Sequence, residues 1–135
     1  MAPHINGAGR LFGGQLMQWI DILGGVVARR HSEMNVTTAA IDSLEFLEGA
    51  HLDDIIYMVG QITNTGRTSM EIRVDCFIEK GNDRTRIATA YLVYVGLDSS
   101  ETPSPVPAVE PVTDGEKAEF EAAAERRRWR LGRRT

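Results

Sequence analysis

Residues Asn6 to Arg30, NGAGRLFGGQLMQWIDILGGVVARR, leave few folds open: they read as a glycine-rich loop running into one long helix whose only acid is Asp21. At helical spacing Leu16, Met17, Trp19, Ile20, Leu23, Val26 and Val27 spread over roughly two-thirds of the circumference, and a helix apolar that far round is buried rather than half-exposed. A narrow arc holds Gln15, Gln18, Asp21, Gly25 and Arg29. A carboxylate in the middle of such a helix is costly to bury unless something pairs with it or uses it. Two readings of Asp21 stand side by side: a structural pair with an arginine such as Arg10, or a general base or nucleophile at a reactive site.

From Val36 the period changes. VTTAAIDSLEFLE, DIIYMVGQIT, TSMEIRVDCFIE and TRIATAYLVYVGLD are four runs rich in β-branched and aromatic residues, each longer than an average strand. The third run is the clearest, with Met70, Ile72, Val74, Cys76 and Ile78 on one face and Glu71, Arg73, Asp75 and Glu79 on the other, so one face is core and one is wet. The turn clusters Asn64-Thr65-Gly66 and Lys80-Gly81-Asn82-Asp83 predict antiparallel hairpins. Four strands and one apolar helix predict an α+β fold in which a mostly antiparallel sheet curls around the helix and covers most of it.

After Leu97 the composition shifts to SSETPSPVPAVEP, an extended proline-rich connection expected to pack weakly if at all. DGEKAEFEAAAERRRWRLGRR then has acids in its first turns and arginines in its last, which suits a helix dipole. The organisation predicted is therefore a folded unit over 1–98, a connection over 99–113 and an Arg-rich helix over 114–135.

Nineteen acidic against fifteen basic residues give a net charge of -4, with six arginines after position 125. Those arginines are expected to be a solvated helix end; without interleaved aromatics beyond Trp129 they make a poor nucleic-acid surface. No apolar run approaches the about 20 residues of a membrane span, and no secretory signal is present, so a cytoplasmic protein is expected. The single cysteine, Cys76, is expected to be a small buried hydrophobe.

His4, His31 and His51 stand apart without metal-ligand spacing, and no G-x-S-x-G or H-E-x-x-H occurs. No metal site is expected. GAGRLFGG lacks the lysine and the preceding strand of a phosphate-binding loop. Gly13 and Gly14 at the start of the helix offer unblocked N–H groups suited to an oxyanion or carbonyl, or they simply make a tight turn. Arg67, Thr68 and Ser69 follow a hairpin turn, where an arginine is ordinarily a solvated charge.

NGAGRLFGGQLMQWID resembles the N-x-x-G-x-x-x-G-G helix-start motif of the hot-dog-fold acyl-CoA thioesterases, in the acyl-CoA hydrolase branch, and the resemblance continues through VTTAAIDSLEFLE, GRTSMEIRV and AYLVYV. It covers Ile5 to about Asp98. It implies a curved antiparallel sheet around a long central helix, here with an extra C-terminal helix. It also implies a homodimer with shared active sites, commonly a trimer of dimers, and hydrolysis of an acyl-CoA thioester in fatty acid metabolism. Coenzyme A is then part of the substrate and no separate cofactor is required.

Residue by residue, the resemblance implies that Asn6 and Asp21 are catalytic and come from opposite subunits. Gly13 and Gly14 polarise the thioester carbonyl through their N–H groups, and Gly66, Arg67, Thr68 and Ser69 lie beside the pantetheine and phosphate arm. Two departures stand out. Only Met1 to Ile5 precede the motif, where the family has a strand, and Ala88 and Thr89 occupy the place of a family Asn-Arg pair. Outside hydrolysis, an acyl-CoA-binding sensor on the same fold would bind the ester without consuming it, and a hot-dog dehydratase would ordinarily enlist a histidine.

Overall fold

The computed structural model describes residues 13–47 and 54–133. Helix α1 (Gly13–Ser32) is followed by strands β1 (Asn35–Phe46), β2 (Ile55–Thr65), β3 (Ser69–Lys80) and β4 (Asp83–Leu97), and the chain closes with helix α2 (Asp114–Arg133). The strands form one antiparallel sheet in the order β1-β4-β3-β2. Helix α1 ends at Ser32. Glu33 takes up the left-handed conformation (φ 58°), its N–H still bonded to Arg29 O at 2.7 Å, and the chain leaves the helix there.

The strict alternation of β3 produces the core. Met70, Ile72, Val74, Cys76 and Ile78 all point inward with Ala90, Leu92 and Tyr94 of β4, and meet Leu16, Ile20 and Ala28 of α1. Cys76 is fully buried, and burial first, then the neighbouring Asp75 charge, pushes its thiol up to about 12. It is a packing residue.

The sheet covers only one side of α1. Ile22 and Val26, on the side turned away from the sheet, are 59% and 38% exposed, so the prediction of a helix enclosed over most of its circumference does not hold within a single chain. Four strands are enough to bury one face of a helix, and the second apolar face is left for something else to cover.

The proline-rich connection also departs from expectation. It lies along the sheet as a strap: Ser104 N–H donates to Gly96 O (2.8 Å), Val106 N–H to Arg67 O (2.9 Å), and Val109 N–H to Thr65 Oγ1 (3.1 Å). Val106 packs against the core. Helix α2 then begins with a capping box: Glu116 N–H donates to Thr113 Oγ1 (3.0 Å), and the Glu116 carboxylate accepts from Thr113 N–H at 2.9 Å, satisfying donors that a helix start leaves open.

Helix α2 docks on the outer face of the sheet, the face expected to be wet. Arg126 binds both carboxylate oxygens of Glu71 (3.0 and 2.8 Å) and lies 3.8 Å over the Tyr91 ring. Glu119 accepts from Tyr91 OH (2.9 Å) and Arg73 (3.2 Å). Asn64 Nδ2 donates to Phe120 O at 2.9 Å, reaching it from a register shift between Ile62 and Asn64. Arg130 pairs with Asp42 of β1, the two side chains only 9% and 7% exposed. The C-terminal arginines are thus not simply a solvated helix end: Arg126 and Arg130 hold α2 in place.

Candidate active site

Asp21 lies in the middle of α1, and its carboxylate is held by two residues remote in sequence. Thr38 Oγ1 donates to Asp21 Oδ1 at 2.8 Å. The Tyr94 hydroxyl lies 2.9 Å from the same Oδ1 and 2.7 Å from the Asp21 backbone carbonyl, so one phenolic proton serves both. Burial first, then the bond to Asp21, raises the Tyr94 pKa, and the phenol stays protonated as a donor. Both donors converge on Oδ1; among the described residues none reaches Oδ2.

The sequence allows this approach through one missing side chain. A Cβ at Gly24 would fall 2.3 Å from the Tyr94 oxygen and 2.9 Å from its Cζ, so only glycine lets the phenol run under the helix to the Asp21 carbonyl. The β1 register supplies Thr38 directly opposite Tyr94. Thr38 and Tyr94 are the residues that motif reading missed. The available signal was an inward tyrosine in β4 together with a glycine pair in an otherwise apolar helix.

A cleft of about 310 Å³ opens beside this cluster. Its polar end is Asp21, Thr38 and Tyr94, its wall is Ile22, Gly25, Val26 and Val36, and Arg29 completes the lining. Apolar walls leading to a few convergent polar groups are the usual make-up of a small-molecule site. Two of the exposed apolar residues of α1, Ile22 and Val26, belong to this wall.

The other expected site residues are distributed as follows. Asn6 and Arg10, the first expected to be catalytic and the second a structural partner of Asp21, lie outside the described residues. Gly13 and Gly14 are the first residues of α1, with the Phe46 ring 3.6 Å from where a Gly13 Cβ would stand. At 1.5 Å per residue they sit roughly 10 Å along the axis from Asp21; within one chain the helix start and the carboxylate do not form one site. Gly66, Arg67, Thr68 and Ser69 make the β2–β3 turn. Gly66 N–H donates to Ser69 O, and Thr68 O and Arg67 O accept from Gly96 and Val106 N–H, all at 2.9 Å.

That turn shares one end of the sheet with the Asp21 cluster, because Thr38 pairs with Tyr94, Tyr94 with Met70 and Met70 with Thr65. Thr89 faces the other way, donating to Asp75 Oδ1 at 2.8 Å. Among the described residues no group of three or more potential ligands could hold a metal ion, and no helix is long and apolar enough to cross a membrane.

Residues 8–85 match the model of the thioesterase superfamily. The chain is 36% identical over 117 residues to the cytosolic acyl coenzyme A thioester hydrolase of Mus musculus, a match that takes in 84% of this chain but only 31% of that protein. This chain thus spans about a third of the mouse protein. Among solved structures it is similar to an apo-hexameric acyl-CoA thioesterase (TM-score 0.93, 36% identity, 100% of this chain and 88% of the other).

It is also similar to the acyl-CoA hydrolase of Staphylococcus aureus in complex with butyryl coenzyme A, coenzyme A and coenzyme A disulfide (TM-score 0.92, 34% identity, 98% and 82% covered). Alanine variants of that hydrolase have been solved at an asparagine, at an aspartate 15 positions further on and at a threonine 17 positions beyond that.

Proposed function

The chain belongs to the thioesterase superfamily, and from that premise we propose that it hydrolyses acyl-CoA thioesters to a free carboxylic acid and coenzyme A. The observation that carries the proposal is Asp21, held by Thr38 and Tyr94 at the polar end of an apolar cleft. Asn6, Asp21 and Thr38 are separated by 15 and 17 positions, the same spacing as the three residue types replaced in the Staphylococcus aureus hydrolase. This supports assigning all three to the site.

In the proposed reaction the Asp21 carboxylate takes a proton from water as the oxygen attacks the thioester carbonyl carbon. The developing oxyanion is met by the N–H groups of Gly13 and Gly14, with Asn6 positioning the water or the carbonyl. Collapse breaks the C–S bond, and the departing thiolate takes up the proton held by Asp21. Direct attack by Asp21, giving a mixed anhydride that water then cleaves, uses the same groups. Thr38 and Tyr94 fix the carboxylate in either case. Coenzyme A enters as substrate, and the site works without a metal.

The distance between the Gly13 end of α1 and Asp21 supports a site completed by two copies, with Asp21 from one and Asn6, Gly13 and Gly14 from the other. The uncovered apolar strip of α1, Ile22 and Val26, supports a homodimer that brings them together, and dimers then assemble in threes. The cytoplasm is the proposed compartment.

The test is free-thiol release from acyl-CoA esters of increasing chain length by the wild type and Asp21→Asn. The expected result is turnover by the wild type and a loss of about 100- to 1000-fold or more in the variant, the scale of removing a group that acts only in the transition state. Tight ester binding by the wild type with no turnover on any chain length overturns hydrolysis in favour of an acyl-CoA sensor. Near-normal turnover by Asp21→Asn removes Asp21 from the mechanism.

A further inference from the structure

Most arginines of α2 and the adjoining sheet are committed to carboxylates: Arg73 to Asp75, Arg126 to Glu71, Arg128 to Glu125 and Arg130 to Asp42. Arg127 is different. It is exposed, it has no carboxylate partner among the described residues, and its guanidinium lies on the β2–β3 turn. A Cβ at Gly66 would stand 2.9 Å from Arg127 Nη2 and 3.1 Å from its Cζ. The bare backbone of Gly66 is what lets the group settle there.

Arg67, the next residue in that turn, is also exposed and also without an acid partner among the described residues. The turn between them is fixed. Its Arg67 and Thr68 carbonyls are occupied by N–H donors of the strap and of β4, and Gly66 N–H is held by Ser69 O. Two cations left uncommitted at a rigid turn, with the Ser69 hydroxyl also beside Gly66, 2.6 Å from its Cβ position, suit an anion with several acceptor oxygens. In a chain of net charge -4 this is a local reversal of sign.

We propose that Arg127 of α2 and Arg67 of the β2–β3 turn together form a phosphate site for the nucleotide end of coenzyme A, so that the C-terminal helix supplies half of the substrate's anchor. The inference rests on the reading that the turn Gly66 to Ser69 lies beside the coenzyme, and it adds to that turn a residue about 60 positions away. It also gives the docking of α2 a purpose. Arg126 clamps the helix to Glu71, and the adjacent position, a step of about 100° round the helix, delivers Arg127 to the turn.

Steady-state kinetics on two thioesters of the same acyl group test this: the coenzyme A ester and the pantetheine ester, which carries no phosphate. The acyl group used is the one turned over fastest in the chain-length series. Arg127→Gln is expected to raise KM for the coenzyme A ester about tenfold at unchanged kcat, with KM for the pantetheine ester unmoved. Arg127→Lys, which keeps the charge, is expected to recover most of the affinity, and Arg128→Gln, next along the exposed helix, to change nothing.

A dephospho-coenzyme A ester shows which phosphate is met: a retained effect of Arg127→Gln points to the diphosphate, a lost one to the 3′-phosphate, and each supports the site. An unchanged KM for the coenzyme A ester in Arg127→Gln, or an equal rise for both esters, overturns it. If Arg67→Gln alone raises KM for the coenzyme A ester, the turn binds coenzyme but α2 does not contribute. If neither variant does, the reading of the turn falls as well.

Discussion

The two faces of the sheet bind their helices by opposite means. Against the inner face α1 is held by Ile72, Val74, Leu92 and their neighbours, contacts that have no preferred direction and add up by area. Against the outer face α2 is held by Glu71, Arg126, Glu119, Arg73 and Tyr91, contacts that work only in one geometry. The inner arrangement supplies stability; the outer one fixes position. Buried charges paired with one another are a costly way to gain stability, and replacing such a pair by apolar residues is often neutral or better.

The difference is sharpest at Asp42 and Arg130. Asp42→Ala leaves the Arg130 guanidinium nearly buried and unpaired, with an expected loss of about 3–5 kcal/mol in urea unfolding. The double change Asp42→Leu with Arg130→Met is expected to recover that loss or exceed it. A double variant as unstable as the single one would show that the outer face contributes stability after all.

On the inner face, Ile72→Ala is expected to cost about 2–5 kcal/mol by transfer and cavity effects, and no partner substitution of opposite charge or polarity should rescue it. The same unfolding experiment checks both faces.

Smaller effects probe where the faces meet function. Tyr94→Phe keeps the ring in the core and removes one hydrogen bond to Asp21, with an expected fall of about tenfold in kcat and little change in melting temperature. In an Asp21→Asn background the same change should have no further effect on kcat. A purely structural role for the phenol would lower turnover or stability in both backgrounds.

The smallest effect is at the α2 cap. Bonds from the Thr113 and then the Val112 backbone N–H hold the Glu116 carboxyl below its ordinary value of 4.5. A depressed folded pKa means that the cap's contribution is complete above about pH 4.5 and fades as the pH falls through the folded value. Amide exchange in the first turn of α2 should rise over that window while amides of β3 stay protected, and Glu116→Gln should flatten the response.

How much of this was legible in the sequence follows the same division. The inner face was readable because its information is local: the alternation from Met70 to Ile78 and the apolar spread of α1 each declare a buried surface within a dozen or so residues. The outer face was misread for the same reason. Glu71, Arg73 and Asp75 alternate as a solvated face would, and nothing near them reports that Arg126, 55 positions later, answers their charge.

The site was half legible. Asp21 stood out by being an acid on an apolar helix, but its partners Thr38 and Tyr94 are 17 and 73 positions away and follow only from strand register. The strap escaped notice because proline-rich composition reports a lack of internal hydrogen bonds and is silent about bonds made to other segments.

The fit of Tyr94 beneath Gly24 has a consequence for how this chain can diverge. With 2.3 Å between the phenolic oxygen and the Gly24 Cβ position, and 2.9 and 3.0 Å to ring carbons, position 24 is closed to every side chain while an aromatic ring occupies position 94. The reverse order is open: a smaller residue at 94 leaves glycine at 24 unharmed and only then makes room for a second change. Descendants can therefore leave this arrangement by one mutational path and not by the other, and Gly24 should outlast Tyr94 along any lineage that loses the pair.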